Sequence, residues 1–260
     1  MIMNQYEKFS KLIARLGDEA KKEFSYELFN INGVMKGRGI GAATDQQLAE
    51  IATGLVKKYG EASSALSAEL YDRIAYLSKA KVPPAIPAEP AGYEEVARAI
   101  SAVTSISDNE NMLTNVVSRL VKMAASDTTL RNAIRDSAEV AWVPHGDTCA
   151  FCLTLASRGW ERASMSQVEN GHAMHIHANC DCEYAVRFNG FTSVKGYDPE
   201  YYSKLYYSQP GNSKEKMNSI RRMVYQENRE HILEQKREAY HLAKEAEGEK
   251  SNNSKETERQ

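Results

Sequence analysis

A long apolar run is the first thing missing from this 260-residue chain. Residues 1–16 mix charged and apolar side chains, so neither a signal peptide nor a transmembrane span is expected. An excess of positive charge is missing as well. Against 35 Asp and Glu stand 33 Lys and Arg, a formal net charge of −2 that excludes a generally basic nucleic-acid binder and leaves room only for a local basic patch. No H-E-x-x-H, P-loop or G-x-S-x-G segment occurs, so the common metalloprotease, nucleotide-hydrolase and serine-hydrolase signatures are absent. There is no internal repeat. Cysteine is missing everywhere except in residues 147–183, which hold all four. Synthesis in a reducing cytosol is expected, and structural disulfides are not.

What is present is mostly helical periodicity. Phe9, Leu12, Ile13, Leu16, Ala20, Phe24 and Leu28 recur at helical spacing. Thr44 with Gln47 forms a capping box opening a second helix, whose apolar face runs through Leu48, Ile51, Leu55, Leu66, Leu70, Ile74 and Leu77, with Gly54 and Gly60 as points where it could break or bend. Four of the seven prolines fall in residues 82–90, a density that forces an extended segment. Val96, Ile100 and Val103 resume the helical pattern, and Ser107 with Glu110 offers a second capping box before Leu113, Val116, Val117, Leu120 and Val121. After Trp142-Val143-Pro144 the periodicity is lost. Tyr184, Val186 and Phe188 alternate as in a short strand, and a charged helix is expected over about 213–247. The expected fold is mainly α: a helical N-terminal half, a small α+β zinc-knot-like Cys/His module, and a C-terminal charged helix. The corresponding regions are 1–81 (helical), 82–92 (proline-rich linker), 93–141 (helical), 142–210 (Cys/His module) and 211–260 (charged helix and disordered tail).

The chemistry is concentrated in the cysteine window. Cys149-Ala150-Phe151-Cys152 is a C-x-x-C turn, and His177-Ala178-Asn179-Cys180-Asp181-Cys182 supplies a second cluster. Two tight pairs of soft ligands separated by a loop can enclose one tetrahedral zinc ion. Five candidates, Cys149, Cys152, His177, Cys180 and Cys182, compete for four places, and no open coordination position is required, which favours a structural zinc. Lone cysteines are usually small buried hydrophobes, but four in two close pairs fit that description poorly. A redox C-x-x-C lacks the expected βαβ surroundings. His145-Gly146-Asp147-Thr148-Cys149 departs from the zinc-deaminase pattern in both spacing and acid. His172 and His175 read as solvated, and His145 as part of a turn. A catalytic Cys–His pair remains open, because such pairs meet in space.

Around these residues the chain resembles a known family. Trp142-Val143-Pro144, the run from Asp147-Thr148-Cys149 through Cys152 to Ala156-Ser157-Arg158-Gly159, and the H-x-x-C-x-C of His177, Cys180 and Cys182 are similar to the hallmark segments of minor capsid, or head morphogenesis, proteins of tailed phages and prophages, the Mu F-like proteins. Lys58-Tyr59-Gly60-Glu61-Ala62, Glu69-Leu70-Tyr71-Asp72 and Gly196-Tyr197-Asp198-Pro199 resemble further segments of the same group; Trp160-Glu161-Arg162 departs from its usual pattern. The resemblance implies a virion protein inside the head, made in the bacterial host cytoplasm and associated with the portal protein. It would act in assembly or genome delivery, in contact with packaged double-stranded DNA and without enzymatic activity.

Two features stand outside these motifs. Tyr197, Tyr201, Tyr202, Tyr206 and Tyr207 either cover the core of the small module or form a binding surface. Lys214, Lys216, Arg221 and Arg222 could touch DNA phosphates, although the glutamates that follow favour a solvated helix. The competing readings are a Cys/His-dependent enzyme using Cys149 or Cys152 with His177, and a zinc-stabilised nucleic-acid adaptor.

Overall fold

The computed structural model describes residues 3–32, 43–106, 110–145, 148–169, 182–190, 193–230, 233–234 and 237. They form a mainly helical protein with a small three-stranded sheet. Helix α1 spans Met3–Asn32, α2 Asp45–Leu77, α3 Tyr93–Thr104 and α4 Glu110–Arg135. Strand β1 (Glu139–Val143), helix α5 (Ala150–Ala156), strand β2 (Glu161–Arg162), helix α6 (Met165–Glu169), strand β3 (Glu183–Arg187), helix α7 (Pro199–Tyr207) and helix α8 (Ser213–Glu227) follow.

The expected capping box exists. Thr44 Oγ1 accepts from the Gln47 N–H at 3.2 Å, and Gln47 Oε1 accepts from the Thr44 N–H at 3.0 Å. Ser107, half of the second expected box, lies outside the described residues, and α4 begins at Glu110. On α1, Phe9, Ala20, Phe24 and Leu28 are buried as the spacing predicts, but Leu12 is 36% exposed and Tyr6 takes a core place that the pattern did not assign. Neither Gly54 nor Gly60 breaks α2, which runs unbroken over 33 residues. Gly60 serves a close approach instead. A Cβ there would come within 2.7 Å of the Pro90 Cβ, so only a bare backbone lets the proline segment lie against the helix.

That segment is extended, as its prolines require, and it is tied down along its length. Ala85 N–H donates to Asp72 Oδ1 (2.7 Å), Ile86 N–H to Asn132 Oδ1 (2.9 Å) and Ala88 N–H to Thr128 Oγ1 (3.0 Å). In return the Ile86 carbonyl accepts from Asn132 Nδ2, the Ala88 carbonyl from Ser64 Oγ, and the Pro83 and Pro84 carbonyls from Arg135. Residues 82–92, expected as a linker, therefore form a strap across α2 and α4. Proline suits it because each one removes a backbone N–H that would otherwise need a partner.

Helix α4 is the centre of the helical part. It is buried on almost every side, packing on α1, α2 and α3 and against the sheet. Small residues let α2 and α4 approach closely: Ser67 Oγ donates to the Ala125 carbonyl at 2.8 Å and meets Thr129 Oγ1 at 2.9 Å. One polar group on α4 is poorly accommodated. Asp127 Oδ1 is buried without a hydrogen-bond partner, and burial pushes its carboxyl up to about 6, against a smaller pull from Arg131 and with a further push from Glu95. An acid whose folded-state pKa is raised stabilises the fold below its unfolded value, near 4, and loses that contribution as pH climbs through about 6. We expect Asp127→Asn to raise stability by about 1–2 kcal/mol at pH 8 and to leave it unchanged at pH 4, read from paired urea titrations. An equal gain at both pH values would exclude the linkage.

The sheet order is β2-β1-β3, with both pairings antiparallel. The alternation expected for residues 183–188 places one face inside, yet Tyr184, Ala185 and Val186 are all buried. The reason is two-sided cover: α4 packs on the sheet, and α5 packs against β1. Strand β1 begins at Glu139, where the sequence reads as the end of a helical region. Strand β3 is an edge, and Tyr6 closes it. Its hydroxyl donates to the Val186 carbonyl at 2.7 Å and accepts from the Val186 N–H at 3.1 Å, replacing the missing neighbour strand at that residue. The expected zinc-knot character of the module is not borne out among the described residues, which show a small sheet flanked by helices. The terminal helix is described as α8 and in fragments to residue 237; the remainder of the expected 213–247 span and the expected disordered tail lie outside the described residues.

Candidate functional site

The cysteine window is built on the end of the sheet where β1 leaves and β3 begins. Val143, the last residue of β1, pairs with Glu183, the first of β3. Cys182 directly precedes Glu183, and α5 starts seven residues beyond Val143 with Cys149 at its N-cap and Cys152 one turn in. The register therefore sets Cys182 beside the end of β1, and the first cysteine pair follows on α5. Cys152 and Cys182 are buried in the common apolar core, and Cys149 packs against it. Tyr202 of α7 lies close to Cys182, and its hydroxyl is pushed up by burial, with smaller contributions from Tyr201 and Cys182.

Among the described residues no group of three or more His, Cys, Asp or Glu is arranged to hold a metal ion. His177 and Cys180 lie outside the described residues, as do His172 and His175. Cys149, Cys152 and Cys182, the three candidate ligands among the described residues, do not form such a group. The thiols of the window are soft donors of the kind that zinc takes, but the placement of Cys149, Cys152 and Cys182 does not by itself make a metal site.

A pairing that sequence reasoning missed sits beside them. His145 Nε2 is 2.9 Å from Glu183 Oε1, and both side chains are largely buried. Burial pushes the Glu183 carboxyl up, while the bond to His145 pulls it back down. His145 is two residues past Val143, so the β1–β3 register alone decides this contact; nothing local in either segment signals it. Trp142 and Tyr184, which are register partners, meet edge to face at 4.8 Å.

The other motif residues lock the module together. Helix α5 ends at Ala156, and Gly159, at φ +70, donates its N–H to the Ala156 carbonyl, which is the left-handed stop that glycine supplies most readily. Gly196, at φ +82, precedes Tyr197, whose buried hydroxyl donates to that same Ala156 carbonyl at 2.9 Å. Asp198 caps α7 through the Glu200 and Tyr201 N–H groups, and Pro199 occupies the first turn, where a missing N–H costs nothing. The Ala156-Ser157-Arg158-Gly159 and Gly196-Tyr197-Asp198-Pro199 segments are therefore two halves of one joint. Tyr197 also stacks on Tyr202 at 5.7 Å and meets Trp160 edge to face, while Arg187 lies over Trp160 at 4.7 Å. The tyrosines divide: Tyr197 is buried, whereas Tyr201 and Tyr207 are 58% and 68% exposed.

This is a helical protein whose motif residues chiefly hold a compact joint. A family model described as VG15 protein matches residues 3–209, well over half of the chain. The chain belongs to the VG15 protein family, a viral family of phage proteins. No curated protein and no solved structure matches it. Among the described residues, no helix is long and apolar enough to cross a membrane.

Proposed function

We propose that this chain is a minor capsid, or head morphogenesis, protein of the Mu F-like kind, bound to the portal inside the phage head and acting in assembly or genome delivery. The observation that carries the reading is the joint itself. The segments that resemble those proteins are the ones that meet in space, through Tyr197 and the Ala156 carbonyl, and they lie within the stretch matched by a phage family. Their roles are to stop a helix, turn the chain and cap the next helix, which are the tasks of a structural protein. Packaged double-stranded DNA is its expected neighbour, and no catalytic turnover is assigned to it. The decisive measurement is the composition of purified particles. A few copies per particle, and defective heads when the protein is left out, are the expected result; absence from normal particles would sink the proposal.

The same reading assigns one structural zinc, held by four of Cys149, Cys152, His177, Cys180 and Cys182. A bound zinc would supply a cross-link between α5 and the start of β3, with binding energy serving as folding energy. Purified protein is expected to carry zinc at unit stoichiometry, with thiols slow to alkylate until a chelator is added. Metal-free protein with an unchanged melting profile, or thiols that alkylate rapidly without a chelator, would remove the metal and favour a cysteine with another task.

A further inference from the structure

Helix α8 lies beyond the stretch matched by the family, and its charges are not scattered. At about 100° per residue, Lys214, Asn218, Arg221, Arg222 and Tyr225 of α8 fall within an arc of about 100°, and Arg229 follows just past the helix end at Glu227. Ile220, fully buried, lies on the opposite side together with Met223 and Val224. The outward arc of α8 carries three cations and no acid, and Arg229 adds a fourth just past the helix. Glu215 borders it, but that carboxylate is held back by the Asn212 N–H at 2.8 Å, and Glu227 lies on the far side. All four cations are exposed, and Arg221, Arg222, Tyr225 and Arg229 line a surface cleft of about 470 Å³. Beside it, Lys216 lies over the rings of both Tyr206 and Tyr207, at 5.2 and 5.0 Å. Tyr207 in turn borders a second cleft of about 530 Å³ with Arg158, Lys204 and one acid, Glu200.

We propose that the outward face of α8, extended by the Arg158–Lys204–Tyr207 cleft, is a sequence-independent docking surface for the phosphate backbone of double-stranded nucleic acid. In a chain with net charge −2, three cations on one helical face and a fourth just past its end, with Glu227 turned away, make a local field that the composition conceals. Lys214 and the Arg221–Arg222 pair are about 11 Å apart along the axis, with Arg229 beyond them, so the surface can follow a line of phosphates rather than clasp a single one. Tyrosine hydroxyls and arginines both donate to phosphate oxygens, and none of the arrangement offers the converging donors that read a base edge. The choice of duplex over single strand rests on the phage-head reading above.

The test uses the full chain and a labelled 30-base-pair duplex of arbitrary sequence, with anisotropy measured across salt concentrations. Binding that weakens steeply with salt is expected. R221A/R222A/R229A should lose about tenfold or more at low salt and flatten the log–log salt slope by about 2 to 3. The charge-matched control K8A/R15A/K22A on α1 should lose less than about threefold. Circular dichroism verifies that the variants remain helical, and the single variant R222Q should show a smaller loss in the same direction. Failure of the wild-type chain to bind at low salt, equal losses in both triple variants, or binding of a 30-nucleotide single strand in preference to the duplex would each overturn the proposal. Protein found in particles that binds no DNA would remove this surface and leave the portal reading; DNA binding by a protein missing from particles would do the reverse.

Discussion

Asn132→Ala is expected to destabilise the protein by about 3 kcal/mol, because one side chain holds the strap and the central helix together. Asn132 is buried on α4. Its amide donates to the Ile86 carbonyl at 2.8 Å and to the Thr128 carbonyl at 2.7 Å, and its oxygen accepts from the Ile86 N–H at 2.9 Å. To Ile86 it presents the donor and acceptor pair that a neighbouring strand would offer. Alanine would leave the N–H and C=O of a partly buried peptide unpaired at once, at about 1–3 kcal/mol for each group that water cannot reach. Part of the cost returns if the strap lifts and is solvated, so the loss should come with faster amide exchange at Ile86 and Ala88 than elsewhere in the chain. Urea denaturation of wild type and variant measures the total. A loss below about 1 kcal/mol would mean that the strap contributes little to folding and behaves as a tether.

Tyr6→Phe should cost about 2–3 kcal/mol, a large effect for the loss of one oxygen atom. The ring is 1% exposed and would remain packed, so the change isolates the hydroxyl. That hydroxyl both donates to and accepts from Val186, which is 180 residues away, and burial raises its pKa far above the ordinary tyrosine value. Without it, both polar groups of a buried edge peptide lose their partner. The near-ultraviolet signal of the Trp142–Tyr184 pair should then weaken at lower urea than the helical signal, since the bond joins α1 to the sheet. Coincident transitions with unchanged midpoint would show that Val186 finds water instead.

How much of this was readable in advance depended on the range of the interaction. The helices, the Thr44–Gln47 box, the extended proline segment and the clustering of cysteines all follow from residues a few positions apart. Strand β1 did not, because Val140, Ala141, Trp142 and Val143 are buried on both faces and show no alternation over five residues. The His145–Glu183 contact was invisible for a related reason. It depends on the strand register, and a shift of one residue would turn Glu183 to the other face. Gly60 carried a signal that was read the wrong way: a glycine inside a helical pattern can mark a close neighbour as readily as a break.

The sequence by itself determined the helical class, the extended form of residues 82–92 and the one window where soft ligands gather, since periodicity, caps and proline stereochemistry act locally. Only the tertiary structure decided that the proline segment is a strap, that Tyr6 closes the sheet, that Tyr197 joins two motifs through one carbonyl, and that the cations of α8 share a face directed away from Ile220. Each of those depends on partners far apart along the chain or on which side of a helix the core lies. Burial and hydrogen-bond satisfaction select such partners only once the whole chain has packed.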